Sequence, residues 1–215
     1  MRRAFEAGWG GVVWKTLGEE GPPIVNVNGP RYAALLGQDR RVIGFNNIEL
    51  ISDRPLQTNL DEIRRVKRAW PDRAMVVSLM VPVEEAAWRD MLAKVEDTGA
   101  DGVELNFGCP HGMSERGMGS AVGQVPEYIE MVARWCKAST RLPVIVMTAH
   151  SDLESAVAAY QGGAFEYLPK PFDLPVLLAR VRGLIRRRDW ARGPAEGAVP
   201  VRVGAAEVDF ASFEL

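Results

Sequence analysis

Five short apolar runs, at 11–17, 75–81, 102–107, 143–149 and 165–168, punctuate the chain. Their Val, Ile and Phe content and their Gly and Pro boundaries favour strands buried on both faces. Between and after them lie stretches at 60–70, 83–98, 125–138, 151–161 and 174–188 with apolar residues three or four apart, the spacing of amphipathic helices. This alternation restricts the chain to a parallel α/β fold, because parallel strands are joined through crossovers, usually helical. About five βα units are expected, forming a partial TIM barrel or an open doubly wound sheet. Gly99, Gly162 and Gly163 stand where helices are expected to stop.

The rhythm lapses twice. Residues 18–55 form an irregular stretch rich in Asn, Gly and Pro, with apolar runs at 24–27 and 42–45, and a connection that long usually has a task. Residues 189–200 lose periodicity and read as a linker, after which 201–210 alternates like an edge strand or hairpin. The triplet Arg186-Arg187-Arg188 sits at the end of the last expected helix, where cations favour the helix dipole.

Composition narrows the function classes. The formal net charge is only −2, so no global field recruits nucleic acid, anionic membrane or acidic substrates. No apolar run approaches the roughly 18–20 residues needed to span a bilayer, and the N-terminus lacks a signal-peptide core, so a cytoplasmic location and no membrane partner are expected. Two cysteines, Cys109 and Cys136, are too few for an iron–sulfur cluster, and no metal site is expected.

The most reactive-looking segment follows the third run: Asn106-Phe107-Gly108-Cys109-Pro110-His111-Gly112-Met113-Ser114-Glu115-Arg116-Gly117-Met118-Gly119. Catalytic groups of parallel α/β barrels gather at that end of a strand. Spacing alone leaves two readings open. Cys109 is either a proton donor in a loop near a ligand, or a small apolar filler in a tight turn.

Residues 2–145, about two-thirds of the chain, resemble the flavin-binding part of the dihydropyrimidine dehydrogenases, and more specifically their bacterial NAD-dependent form. The resemblance rests on 10–17, on Phe45-Asn46-Asn47-Ile48-Glu49-Leu50-Ile51-Ser52 and on the Cys109 loop. It implies a reaction in which FMN passes a hydride to the pyrimidine ring while the loop cysteine protonates the neighbouring carbon. Carried over by motif, Cys109 is the acid, Asn47 and Asn106 bind the amide-like edge of uracil or thymine, and Lys15 contacts the flavin. Asp97, Asp101 and Glu104 read as helix-end, turn and strand residues.

A barrel of that kind needs eight βα units, and where the relatives carry a flavin-contacting lysine this chain has Met147-Thr148-Ala149-His150. FMN is therefore expected to bind weakly if at all, and pyrimidine reduction to be slight or absent.

From 142 onward, Leu142 to Asp152 and the stretch 159–173 resemble the last two βα units of a response-regulator receiver domain of the nitrogen-regulation type. That resemblance implies a phosphoryl-contacting hydroxyl at Thr148, a switching aromatic at Tyr167 and a charge-neutralising cation at Lys170. The receiver half that carries the phosphoacceptor has no counterpart, and Asp173 reads as a helix N-cap. The tail 201–215 is similar to the opening strands of winged-helix effector domains, with no recognition helix, so nucleic-acid binding is not expected.

The organisation expected is thus a dehydrogenase-like part over 1–145, a receiver-like part over 142–188, and a linker with a truncated effector strand over 189–215. The two parts share the strand near 143–146, as an artificial or recombined chain would if it kept binary pattern and βα phase. Two functional readings follow: a remnant flavoenzyme site, or a non-enzymatic scaffold or signalling remnant. Exposed strand edges and apolar surface predict self-association.

Overall fold

The computed structural model describes residues 1–21, 24–26, 28–110, 117–171, 175, 179–180, 201–203 and 206–208. All of the helix expected over 174–188 except residues 175 and 179–180, the cap at Asp173, the linker at 189–200 and His111 lie outside the described residues.

Residues Met1–Lys170 form one compact unit. Its centre is a parallel sheet of β1 (Gly11–Leu17), β4 (Ala74–Leu79), β5 (Gly102–Phe107), β6 (Val144–Thr148) and β7 (Glu166–Pro169), in that order. The sheet is open and does not close into a barrel, as expected of the second architecture. Four helices alternate with the strands: α2 (Leu56–Ala69), α3 (Glu85–Glu96), α5 (Pro126–Ser139) and α6 (Leu153–Gln161).

The core lies on one face of this sheet. Met75, Val77 and Leu79 of β4, Val103, Leu105 and Phe107 of β5, and Val144 and Val146 of β6 pack there against Leu60 and Ile63 of α2, Trp88 and Leu92 of α3, and Ile129 and Val132 of α5. Each helix buries residues three or four apart, as its sequence spacing dictates. Pro126 opens α5, where its missing N–H costs nothing, and the Asp152 carboxylate caps α6 by accepting from Ser155 N at 2.7 Å. Gly99 and Gly163 follow α3 and α6 with φ of 80° and 90°, a conformation glycine adopts without strain, whereas Gly162 at −69° has ordinary helical φ.

The junction between the two resembled segments disturbs nothing in the ladder. Val103 pairs with Val144, Leu105 with Val146 and Phe107 with Thr148, and β6 then pairs with β7 from Ile145–Glu166 to Thr148–Pro169.

The irregular stretch holds more order than its sequence suggests. Strands β2 (Tyr32–Leu36) and β3 (Val42–Asn47) form an antiparallel hairpin, in which every β2 residue and all of β3 but Gly44 are exposed. Two short helices complete this unit, α1 (Arg2–Glu6) and α4 (Ser120–Gly123). Residues Pro171–Leu215 form a second unit, in which β8 (Val201–Val203) and β9 (Ala206–Val208) pair as the expected hairpin.

Candidate functional site

Parallel strands end at one edge, and the candidate residues of the resembled dehydrogenase collect at that edge or in the loops beyond it. Lys15 and Thr16 lie near the end of β1, Ser78 near the end of β4, and Asn106 near the end of β5, one residue before the loop of Gly108 and Cys109. A register irregularity between Trp14 and Leu17 lies where Lys15 and Thr16 sit.

Two hydrogen-bonded groups result. In the first, Glu49 is the hub: it accepts from Lys15 Nζ at 2.6 Å, Arg31 Nη1 at 2.9 Å and Tyr32 Oη at 2.9 Å. Its carboxyl is held down at about 2 by these donors, the Lys15 bond foremost and the Tyr32 bond next. Asn47 belongs to the same group, because its Oδ1 accepts from Glu49 N at 2.8 Å and so closes the turn after β3. Lys15 and Asn47 are therefore brought together through Glu49, which the sequence reading quoted within a motif without giving it a role.

In the second group, Asn106 accepts from Gly108 N at 3.2 Å and donates to Thr16 Oγ1 at 3.0 Å. Thr16 is 2.8 Å from Ser78 Oγ, and Ser78 donates to Glu104 Oε1 at 2.8 Å. Glu104 is 6 % exposed, and burial raises its pKa against the opposing effects of the Ser78 bond and the Lys170 charge. The signal for this group was in the sequence: Thr16, Ser78 and Glu104 are polar residues inside otherwise apolar strands, and such residues need a partner.

Cys109 is half-buried and packs with Ile24 against Ile51, Met80 and Met118. A cleft of about 380 Å³ adjoins this apolar cluster and is lined by Ile24, Ile51, Met118, Asp53 and Arg54 among others. Cys136 is a core residue whose thiol is pushed well up by burial. Asp101 accepts from Met75 N and pairs with Lys67, and Asp97 pairs with Arg64, the structural positions expected of both.

The receiver-like residues do not form one cluster. Thr148 is fully buried on the helix-packed face, where its Oγ1 accepts from His150 N at 3.1 Å. Tyr167 is 2 % exposed, and its hydroxyl donates to the His150 carbonyl at 2.7 Å. Lys170 is exposed, its charge acts on Glu104 on the opposite face, and it meets Thr148 through the backbone, donating from N to the Thr148 carbonyl at 2.7 Å. Among the described residues no group of three or more His, Cys, Asp or Glu side chains is placed to hold a metal ion.

Comparison with known proteins finds two separate likenesses along the chain. The family model for the response regulator receiver domain matches residues 129–182. The chain is similar to the chloroplastic dihydropyrimidine dehydrogenase (NADP(+)) of Arabidopsis thaliana, with 46 % identity over 149 residues, 67 % of this chain and 35 % of that protein. To the NAD-dependent dihydropyrimidine dehydrogenase subunit PreA of Escherichia coli it is 41 % identical over 165 residues, covering 75 % of this chain and 39 % of the relative. A segment of 44 residues, 20 % of this chain, is 66 % identical to 9 % of the DNA-binding transcriptional regulator NtrC of Escherichia coli. A solved two-component response regulator from Clostridium difficile aligns over 62 % of this chain and 92 % of its own at 17 % identity, with a TM-score of 0.32. The chain spans little more than a third of the length of the dehydrogenases it matches.

Fold and site together define an α/β protein with polar side chains gathered at one edge of an open parallel sheet. Its composition is chimeric: a segment similar to dihydropyrimidine dehydrogenases is continued by one similar to a response-regulator receiver.

Proposed function

We propose that this chain is a remnant of a flavin-dependent pyrimidine reductase, one that keeps the substrate-amide and proton-donor side of the site but does not turn over. The observation that carries this reading is the Lys15–Glu49 contact at 2.6 Å. The cation that the resemblance assigns to the flavin is neutralised within the chain. Two further features point the same way. The end of β6 offers the Met147 thioether, which supplies no charge, and the N-terminus of α6 is capped by the Asp152 carboxylate, which repels a phosphate. The residues present do not fit a firmly held FMN.

On the substrate side, Asn106 keeps one N–H and one lone pair beyond its bonds to Thr16 and Gly108, a donor and an acceptor matched to the amide edge of uracil or thymine. Cys109, next to Gly108, is the proton donor of this reading.

An ultraviolet-visible spectrum of the purified chain, followed by FMN titration and a uracil-reduction assay, tests the proposal. The expected result is no stoichiometric flavin and no reduction. Stoichiometric FMN together with uracil turnover overturns it.

The receiver-model match over 129–182 supports a second reading, a non-enzymatic signalling remnant. On that reading the buried Thr148 hydroxyl and the core-packed Tyr167 are structural, and the chain accepts no phosphoryl group. We also propose that the chain associates with a second copy of itself through the β2–β3 hairpin, where Phe45 is 81 % and Ile43 72 % exposed.

A further inference from the structure

We propose that Glu104 is a positioning residue: acting through Ser78 and Thr16, it orients the Asn106 amide and the backbone at Gly108 that begins the Cys109 loop. The proposal deepens the reading of Asn106 given above. It stands on geometry that needs neither flavin nor pyrimidine, so the two can fail separately.

The direction of every bond in the chain is determined. Gly108 N–H can only donate, so the Asn106 atom facing it is Oδ1, and Nδ2 must be the atom that donates to Thr16. Ser78 has one proton, and it goes to Glu104 Oε1. The proton shared between Thr16 and Ser78 is therefore Thr16's own. Five groups from three strands and one loop thus form a single file of donors, Gly108 to Asn106 to Thr16 to Ser78 to Glu104. A carboxylate, which only accepts, ends it. Hydrogen bonds aligned head to tail polarise one another, so the strength of the last acceptor is felt at the first donor.

The Glu104 position suits that task. Its Oε1 takes the Ser78 proton, and in the described residues Oε2 takes none. Among the described residues no ion pair within 4 Å quenches its charge; Lys170 acts on it from further away. The groups facing it across the sheet are few. Strand β4 presents Ser78 and β6 presents Ile145, both uncharged. Beyond them on β7, Glu166 Oε1 is occupied by Tyr160 Oη and Tyr167 N, and Lys15 on β1 is held by Glu49. Burial shifts Glu104 upward from the 4.5 of an ordinary glutamate.

The test uses the full chain, isotope-labelled, without ligand. The Glu104 carboxyl carbon, the Asn106 side-chain amide and the Gly108 backbone amide are followed by NMR from acid to neutral pH. The three signals are expected to share one midpoint, above 4.5. A Glu104 titration that leaves Asn106 and Gly108 flat overturns the proposal.

Thr16→Val separates relay from simple field effects. It keeps the distance between Glu104 and Gly108 and removes the hydroxyl, so Glu104 still titrates while the Gly108 and Asn106 signals cease to follow. If they follow unchanged, the coupling runs through space and the proposal is wrong. Glu104→Gln, which retains an acceptor, is expected to leave both amides near their wild-type high-pH positions and independent of pH. Should Glu104→Gln displace them as far as Glu104→Leu does, an acceptor at this position is not what orients Asn106.

Discussion

Trp14 and Asn59 hold β1 to α2 by a single buried hydrogen bond, Trp14 Nε1 donating to Asn59 Oδ1 at 3.2 Å. The Asn59 amide nitrogen also donates to Ser52 Oγ and to the Pro55 carbonyl, so one side chain satisfies an indole and the turn that leads into α2. Removing it leaves a buried N–H without a partner. Asn59→Ala is expected to destabilise the fold by about 2–3 kcal/mol, read as the shift in the urea unfolding midpoint at constant slope.

A second expectation concerns acid. The Glu49 carboxyl titrates at about 2 in the fold against 4.5 ordinarily, so its contribution is complete above 4.5 and is lost as pH falls from 4.5 toward 2. Its side chain is 23 % exposed and its partner Lys15 40 %, so screening keeps the contribution near or below about 1 kcal/mol. Unfolding curves of wild type and Glu49→Gln should converge as pH drops through that window. A difference that grows toward pH 2 contradicts the assignment.

Gly123 lies where α4 meets two strand ends. A Cβ there would run into the Phe107 carbonyl oxygen, a backbone atom that cannot move without disturbing the end of β5, and would sit 2.9 Å from Thr148 Oγ1. Gly123→Ala is expected to cost about 3 kcal/mol by thermal or urea unfolding. A neutral outcome means that α4 does not pack as described.

Self-association through the hairpin predicts that the purified chain is oligomeric in light scattering, with a mass that falls on dilution. The pair Ile43→Lys and Phe45→Lys is expected to return it to a monomer without loss of helical or sheet signal in circular dichroism. A wild-type chain that is already monomeric refutes the hairpin interface.

Incubation with a small-molecule phosphodonor is expected to add no phosphoryl mass to the intact chain. Phosphorylation at any aspartate would contradict the reading of Thr148 and Tyr167 as structural residues.

Much of the fold was legible because burial imposes it on the sequence. β1 and β5 have the expected bounds, and β4, β6 and β7 differ by one or two residues at each end. α2 starts at Leu56, four residues before the expected helix, because Gln57 and Thr58 interrupt the apolar spacing while the backbone already turns. β2 was not legible: Tyr-Ala-Ala-Leu-Leu neither alternates nor favours strand, and its order comes from pairing with β3. At the candidate site, motif resemblance singled out Lys15, Asn47, Asn106 and Cys109, but a motif does not say which partner consumes a charge. That Lys15 is spent on Glu49, and that Glu104 ends a hydrogen-bonded file, depends on cross-strand register, which no single segment encodes.

Strand β6 is bonded on both sides, to β5 and to β7. To separate the two resembled segments at this strand, both ladders must break together, so β6 is expected to belong to the part of the molecule where amide protons exchange last. Whatever frays first in this chain, it will not be β6.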